Sequence, residues 1–294
     1  MHIVTKTDCM KRLLIIFAFV IASLSCAAQE GFISTVRASK ASPAIFEKVA
    51  EALEPYKDEP ASDLMVRCAK QFLGTEYVAG TLEIEPEQLT INMDKTDCIL
   101  FVEMCLAMVQ TVKSDEPTFE TFCRNTQNLR YADGKVDGYA SRNHYTSSWI
   151  KQGQENGIFT EVSKALGGKE LDQHFDFMST HLDSYKQLKD NPGMVVKIMQ
   201  TEKALNKDEY FYLPQGDITS LTKGIKEGDI ICFVTPVAGL DIGHVAIAVK
   251  GSDGQMHFIH ASTKTMKVVV DSQTIADYVL THKSTKGIRV VRIN

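Results

Sequence analysis

From Cys98 to Val109 the chain reads Cys-Ile-Leu-Phe-Val-Glu-Met-Cys-Leu-Ala-Met-Val, and Glu103 is the one charge in it. The spacing predicts a helix over 98–112, and a helix with almost no solvated face must be surrounded by protein. The rest of the chain therefore has to build layers around it. Thr96-Asp97 immediately upstream reads as a cap, which puts Cys98 at the start of the helix. That position has two meanings. A free cysteine is among the most buried residue types and serves as a small hydrophobe, while a helix N-terminus also lowers a thiol pKa and suits a nucleophile.

Neighbouring segments supply the layers. Leu64, Met65, Cys68, Ala69 and Phe72 recur at helical spacing, predicting a helix over 63–73 that stops at Gly74. A shorter helix is expected over 44–53, ended by Glu54-Pro55, and further helical patterns run over 119–129, 145–156, 175–188 and 195–205. After Gly228-Asp229 the pattern changes to strands at 230–234, 244–249, 257–261 and 267–270, with Gly251-Ser252-Asp253-Gly254 as a turn. A helix at 272–281 and a strand at 288–293 follow. Helices first and an antiparallel meander second predict an α+β fold rather than alternating α/β.

The N-terminal region predicts export. Met10-Lys11-Arg12, an apolar run over 13–24 and the small residues around Ser25-Cys26-Ala27-Ala28 have the order of a secretory signal peptide. The apolar run is too short for a membrane span, which takes about 20 residues. Residues 1–28 are thus read as a signal, 29–61 as an N-terminal extension and 62–294 as one domain. Lipidation at Cys26 is the less favoured route, because Ser23 stands where a lipid-attachment signal carries leucine. The expected location is the periplasm or cell envelope. A net charge of −5 and no basic run give no footprint for nucleic acid. Removing the signal leaves Cys68, Cys98, Cys105, Cys123 and Cys232, an odd set without a C-x-x-C zinc pattern.

A cysteine nucleophile needs a base, and the base needs an orienting partner. His244 opens a strand with Ala246 and Ala248 on its face, as either a packed or a functional imidazole. On the next strand, alternation puts His260 on the face of Phe258 and His257 on the opposite one, so the H-x-x-H is no chelating pair. A tight turn between the strands brings His244 and His260 side by side on one surface.

Several motifs carry a resemblance. Gly-Thr-Glu-Tyr-Val-Ala-Gly ending at Gly80, Thr96-Asp97-Cys98, Gly228-Asp229-Ile230, Gly243-His244-Val245-Ala246-Ile247 and Phe258-Ile259-His260-Ala261-Ser262 resemble, in order, the NlpC/P60 superfamily of papain-like cysteine hydrolases. The chain from about residue 62 on is more similar still to the DUF1460 branch. The added signatures are Thr81-Leu82-Glu83, Phe101-Val102-Glu103, Ser141-Arg142-Asn143-His144-Tyr145 with Trp149, Phe177-Met178-Ser179 with His181, and Gly239-Leu240-Asp241-Ile242. Where the wider superfamily has Y-x-W-G-G, this chain has Tyr77-Val78-Ala79-Gly80-Thr81.

The resemblance implies a papain-like fold, with the cysteine helix packed on an antiparallel sheet and a helical insertion at 113–226. It implies an N-acetylmuramoyl-L-alanine amidase-like activity on peptidoglycan fragments, with no metal or organic cofactor. Cys98 would be the nucleophile, His244 the base and His260 the orienting residue, a part that Asp241 or an asparagine could also take. Tyr77 would lie beside the nucleophile, and Asp241 near the substrate. Arg142, His144 and Trp149 are expected to form a cleft wall, the guanidinium suiting a carboxylate and the indole a sugar face. The competing readings are a γ-D-glutamyl-diamino-acid endopeptidase and a non-catalytic wall-binding protein. The sequence sets no oligomeric state.

Overall fold

Cys98–Val112 is a single helix, and Phe101, Val102, Cys105, Leu106, Ala107 and Met108 on it are all fully buried. The structure, a computed structural model, describes residues 35–294; the expected signal peptide and Cys26 lie outside the described residues. In chain order the first elements are β1 (Arg37–Ala38), α1 (Ser42–Leu53), α2 (Ala61–Gln71), β2 (Glu76–Tyr77), β3 (Thr90–Ile91), β4 (Lys95–Thr96), α3 (Cys98–Val112) and α4 (Phe119–Arg130). Next come α5 (Thr146–Glu155), β5 (Phe159–Glu161), β6 (Lys169–Leu171), α6 (Phe177–Thr180), α7 (Pro192–Leu205), β7 (Tyr210–Pro214) and α8 (Ile218–Leu221). The C-terminal part holds β8 (Ile230–Val234), β9 (Ile242–Lys250), β10 (Met256–Ser262), β11 (Lys267–Val270), α9 (Ile275–Thr281) and β12 (Gly287–Ile293).

The fold is mixed α+β, with α3 enclosed between α1, α2 and α4 on one side and β9 and β10 on the other. Residues 37–53 belong to this core. Phe46 of α1 packs its ring 5.6 Å from Phe119 and 5.6 Å from Phe122 of α4, and β1 pairs in parallel with β3. The main sheet runs β4-β2-β11-β10-β9-β8-β12-β7-β6, with β5 also pairing β12. Strands β8 to β11 form the expected meander. Val245 and Ile247 of β9 face the α3 core, whereas Ala246 and Ala248 share the other face with Phe258.

Two expectations need correction. The insertion at 113–226 is not helical throughout, since β5, β6 and β7 extend the sheet. Tyr210-Phe211-Tyr212-Leu213 is an aromatic run that suits a pleated surface better than a helix. The helix expected over 175–188 shrinks to α6 and a short 3-10 turn at Leu182–Ser184. Asp183 and Ser184 compete for backbone hydrogen bonds and disfavour a helix interior, and the segment is tied sideways through Tyr145 Oη to the Met178 N–H and Glu202 to the Ser179 N–H. One glycine matters to the site. Gly239 has φ +80° and sits so close to Phe177 that a Cβ would lie 2.9 Å from the Phe177 nitrogen. Its conformation lets the loop before β9 pack onto α6.

Candidate active site

Asp97 holds the cysteine in place. Its backbone is extended, and its Oδ1 accepts from the Leu100 N–H at 2.9 Å, capping α3 so that Cys98 begins the helix. Thr96 of β4 pairs with Tyr77 of β2, which brings the tyrosine to the same cleft as Cys98. Because α3 is buried along its length, the thiol is fixed to a rigid element.

The histidines arrive from the sheet. Phe258 lies opposite Ala248 and Ile259 opposite Ile247, so His244 and His260 are diagonal neighbours on one face. His244 Nε2 and His260 Nδ1 are 2.7 Å apart, with the rings edge-on at 83° and centroids 5.0 Å apart. Beyond them, His260 Nε2 lies 3.3 Å from Asp271 Oδ2. Sequence reasoning missed Asp271, although it directly follows the strand that pairs with β10. The His282 ring stacks on Tyr278 at 3.8 Å and also lines the cleft.

Burial governs protonation here. It pushes the Cys98 thiol up to about 12, the Asp97 carboxylate adding to the shift and the Val245 N–H opposing it. Burial likewise lowers His244 to about 3, with His260 adding to the effect. His260 is also held below its ordinary value by burial, against the pull of Asp271. The resting site therefore favours a neutral thiol beside neutral imidazoles over a preformed thiolate–imidazolium pair.

Cys98 and His244 sit where two cavities meet. The smaller, about 180 Å³, is lined by Ile99, Asn143, His144, Thr146 and Trp149 among others. The larger, about 600 Å³, takes in Tyr77, His260, Lys264, Asp271 and Tyr278. His144 thus reaches the cleft wall, with its ring on Tyr139 at 4.3 Å and its Nε2 2.8 Å from the Tyr139 carbonyl. Burial, aided by Arg142, drops its pKa to about 3, so the wall presents a neutral imidazole.

Three expected binding residues are differently engaged. Trp149 is 1% exposed and packs on Phe159 with centroids 4.7 Å apart, so its ring is not open to a sugar face. Arg142 is turned to Glu83 at 2.9 Å and Glu87 at 3.1 Å, with Nη1 donating to Glu83. Asp241 accepts from the Ser147 N–H at 2.7 Å and the Ile242 N–H at 2.8 Å. It pins the start of α5 to the start of β9.

The profile of a family described as AmiA-like, N-acetylmuramoyl-L-alanine amidase-like, matches residues 67–288. Among solved structures, an N-acetylmuramoyl-L-alanine amidase from Bacteroides uniformis is 36% identical, with a TM-score of 0.75 over 80% of this chain and 99% of that one. A protein from Bacteroides fragilis named as a candidate xylanase is 41% identical, with a TM-score of 0.72 over 76% of this chain and 99% of that one. A Legionella pneumophila protein assigned to DUF1460 shares the fold at 20% identity, with a TM-score of 0.67 over 86% of this chain and 95% of that one. Comparison with curated proteins gives no match.

Proposed function

The chain belongs to the N-acetylmuramoyl-L-alanine amidase-like family, and from that premise we propose that it is a cysteine amidase of the papain-like NlpC/P60 type. It hydrolyses the amide between the muramoyl lactyl group and the first stem residue of peptidoglycan fragments. The observation that carries this reading is Cys98, capped at the start of a buried helix, in one cleft with the His244–His260 pair at 2.7 Å. Export through residues 1–28 to the periplasm or cell envelope accompanies the proposal. Among the described residues no helix is long and apolar enough to cross a membrane.

The steps follow from the protonation state. With a neutral thiol at rest, His244 takes the Cys98 proton as sulfur attacks the amide carbonyl. The positive end of the α3 dipole favours the developing negative charge, and the backbone N–H of Cys98 donates to the oxyanion. His244 then protonates the departing amine, and water cleaves the thioester with His244 again as base. Tyr77 and His144 flank the reacting bond from the two cavities.

Cleavage of a glycan chain is the poorer reading, although one relative's name points to xylan. Glycosidases work with two carboxyl groups astride the bond. Among the described residues lining the two cavities, Asp271 is the one carboxylate, and it is engaged with His260.

Digestion of defined muropeptides followed by mass spectrometry tests the proposal. An intact stem peptide and a free sugar are expected from the wild type, and neither from Cys98→Ala. L-Ala-D-Glu left on the sugar would establish the γ-D-glutamyl endopeptidase instead. No cleavage by the wild type would favour a wall-binding protein, and full cleavage by Cys98→Ala would overturn the nucleophile.

A further inference from the structure

The histidine pair has a direction to choose. Of the four ring nitrogens, three are accounted for: His244 Nε2 faces His260 Nδ1 at 2.7 Å, and His260 Nε2 faces Asp271 Oδ2 at 3.3 Å. His244 Nδ1 is left over. A neutral imidazole has one N–H and one lone pair, so the proton positions along this row are coupled. Only one arrangement leaves His244 Nδ1 as a lone pair able to take the Cys98 proton. In the other, Nδ1 carries the proton and His244 cannot act as a base.

We propose that Asp271 is a positioning residue that selects the productive arrangement by accepting the Nε2 proton of His260. His260 Nδ1 is then the acceptor of the His244 Nε2 proton, and the lone pair is left at His244 Nδ1. In the reverse arrangement the His260 Nε2 lone pair would face the carboxylate, two acceptors with no proton between them. This deepens the reading of Cys98, His244 and His260 as catalytic machinery and rests on it.

The carboxylate is built to hold one orientation. Asp271 Oδ1 accepts from the Gln273 N–H at 2.8 Å. Its backbone N–H donates to the Phe258 carbonyl at 2.9 Å, and its own carbonyl lies 3.2 Å from His257 Nδ1. Oδ2 is thereby held 3.3 Å from the Nε2 of His260, a residue that is 4% exposed and braced edge-on against Phe258 at 4.9 Å. The His260–Asp271 contact is longer and less aligned than the contact between the histidines. Catalytic hydrogen bonds in resting sites are often so and tighten with substrate.

This anchoring sets up an unusual signature. In Asp271→Asn the amide oxygen is claimed by the Gln273 N–H, a backbone donor that cannot turn. The amide NH2 then faces His260 Nε2 and donates to it, which reverses the proton row and leaves His244 Nδ1 protonated. Asp271→Ala only removes the bias. The isosteric asparagine is therefore expected to be worse than alanine.

The test uses imidazole-15N-labelled protein and long-range proton–nitrogen correlation. The wild type is expected to show His244 protonated at Nε2, and Asp271→Asn to show it protonated at Nδ1. In muropeptide hydrolysis, kcat is expected to fall about 10²-fold or more in Asp271→Asn and less in Asp271→Ala, with KM little changed in both. The pH–rate profile is recorded for all three, since Cys98, Tyr77 and Tyr278 line the same cleft as the pair. A wild type with His244 protonated at Nδ1, or an asparagine variant with wild-type tautomers, overturns the proposal even if the asparagine variant is slow. The nitrogen spectra need no turnover, so failure of the amidase reading is seen separately, in the Cys98→Ala digest.

Discussion

Arg130 Nε donates to Glu103 Oε2 at 2.9 Å, and so the one charge in the buried stretch of α3 is met by a guanidinium from α4. Both side chains are nearly sealed, at 8% and 4% exposure. Arg130 also donates to the Thr90 carbonyl at 2.6 Å, binding β3 ahead of the cysteine helix. Breaking such a pair leaves an uncompensated charge. Glu103→Ala and Arg130→Ala are each expected to cost about 3–5 kcal/mol, while a Glu103→Met, Arg130→Met double variant recovers a large part of that. Urea denaturation of the three proteins measures it, and additive losses in the double variant would refute the coupling.

His144 and His244 make the fold acid-sensitive. Burial holds both near about 3, and unfolding returns each to its ordinary value of about 6.5. Between these values the unfolded chain binds more protons than the folded one, so stability rises with pH and is lost as pH falls below about 6.5. The slope is expected to reach roughly 1.4 kcal/mol per pH unit for each histidine. Denaturation midpoints of wild type and His144→Gln at pH 7, 5.5 and 4.5 check this. The variant's curve is expected to be the flatter, and parallel curves would show that His144 contributes nothing.

Gly153 of α5 faces the Phe159 ring with no room for a Cβ. Alanine in place of glycine inside a helix ordinarily gains up to about 1 kcal/mol. Here overpacking of about 1–3 kcal/mol is expected to win. Because Phe159 supports Trp149, which lines the smaller cavity, Gly153→Ala is also expected to lower kcat/KM. Thermal melts and muropeptide kinetics read the two effects, and a stabilised variant would contradict the packing argument.

Asp241→Ala removes the acceptor of two N–H groups, Ser147 and Ile242. A loss of about 1–3 kcal/mol is expected for a buried donor left unmatched. The start of β9, which carries His244, is expected to loosen with it. Hydrogen exchange at Ile242 and Ser147 reports this directly, and unchanged protection at both would refute the pin.

Legibility followed the range of the physics. The cysteine helix could be read because its apolarity is uniform and local, and the His244–His260 pair because side chains alternate along a strand. The ion pair of Arg142 with Glu83 was not legible, because it joins residues 59 positions apart and a lone guanidinium looks free in a sequence. Asp271 looks like any acid after a strand until the β10–β11 ladder sets it against His260. The strands β5 to β7 are short and surrounded by helical patterns, and what makes them strands is the edge that β5 and β7 find on β12 and that β6 finds on β7.

That last strand has a consequence for how the molecule is made. β12 follows every other described element in the chain, yet it lies between β8 on one side and β7 and β5 on the other. During synthesis the earlier strands must wait with open edges until residues 287–293 emerge. Such long-range pairing is slow and leaves strand edges exposed in the meantime. Clipping off β12 would therefore split the sheet through its middle, leaving the histidine platform on one side of the gap and the strands of the insertion on the other.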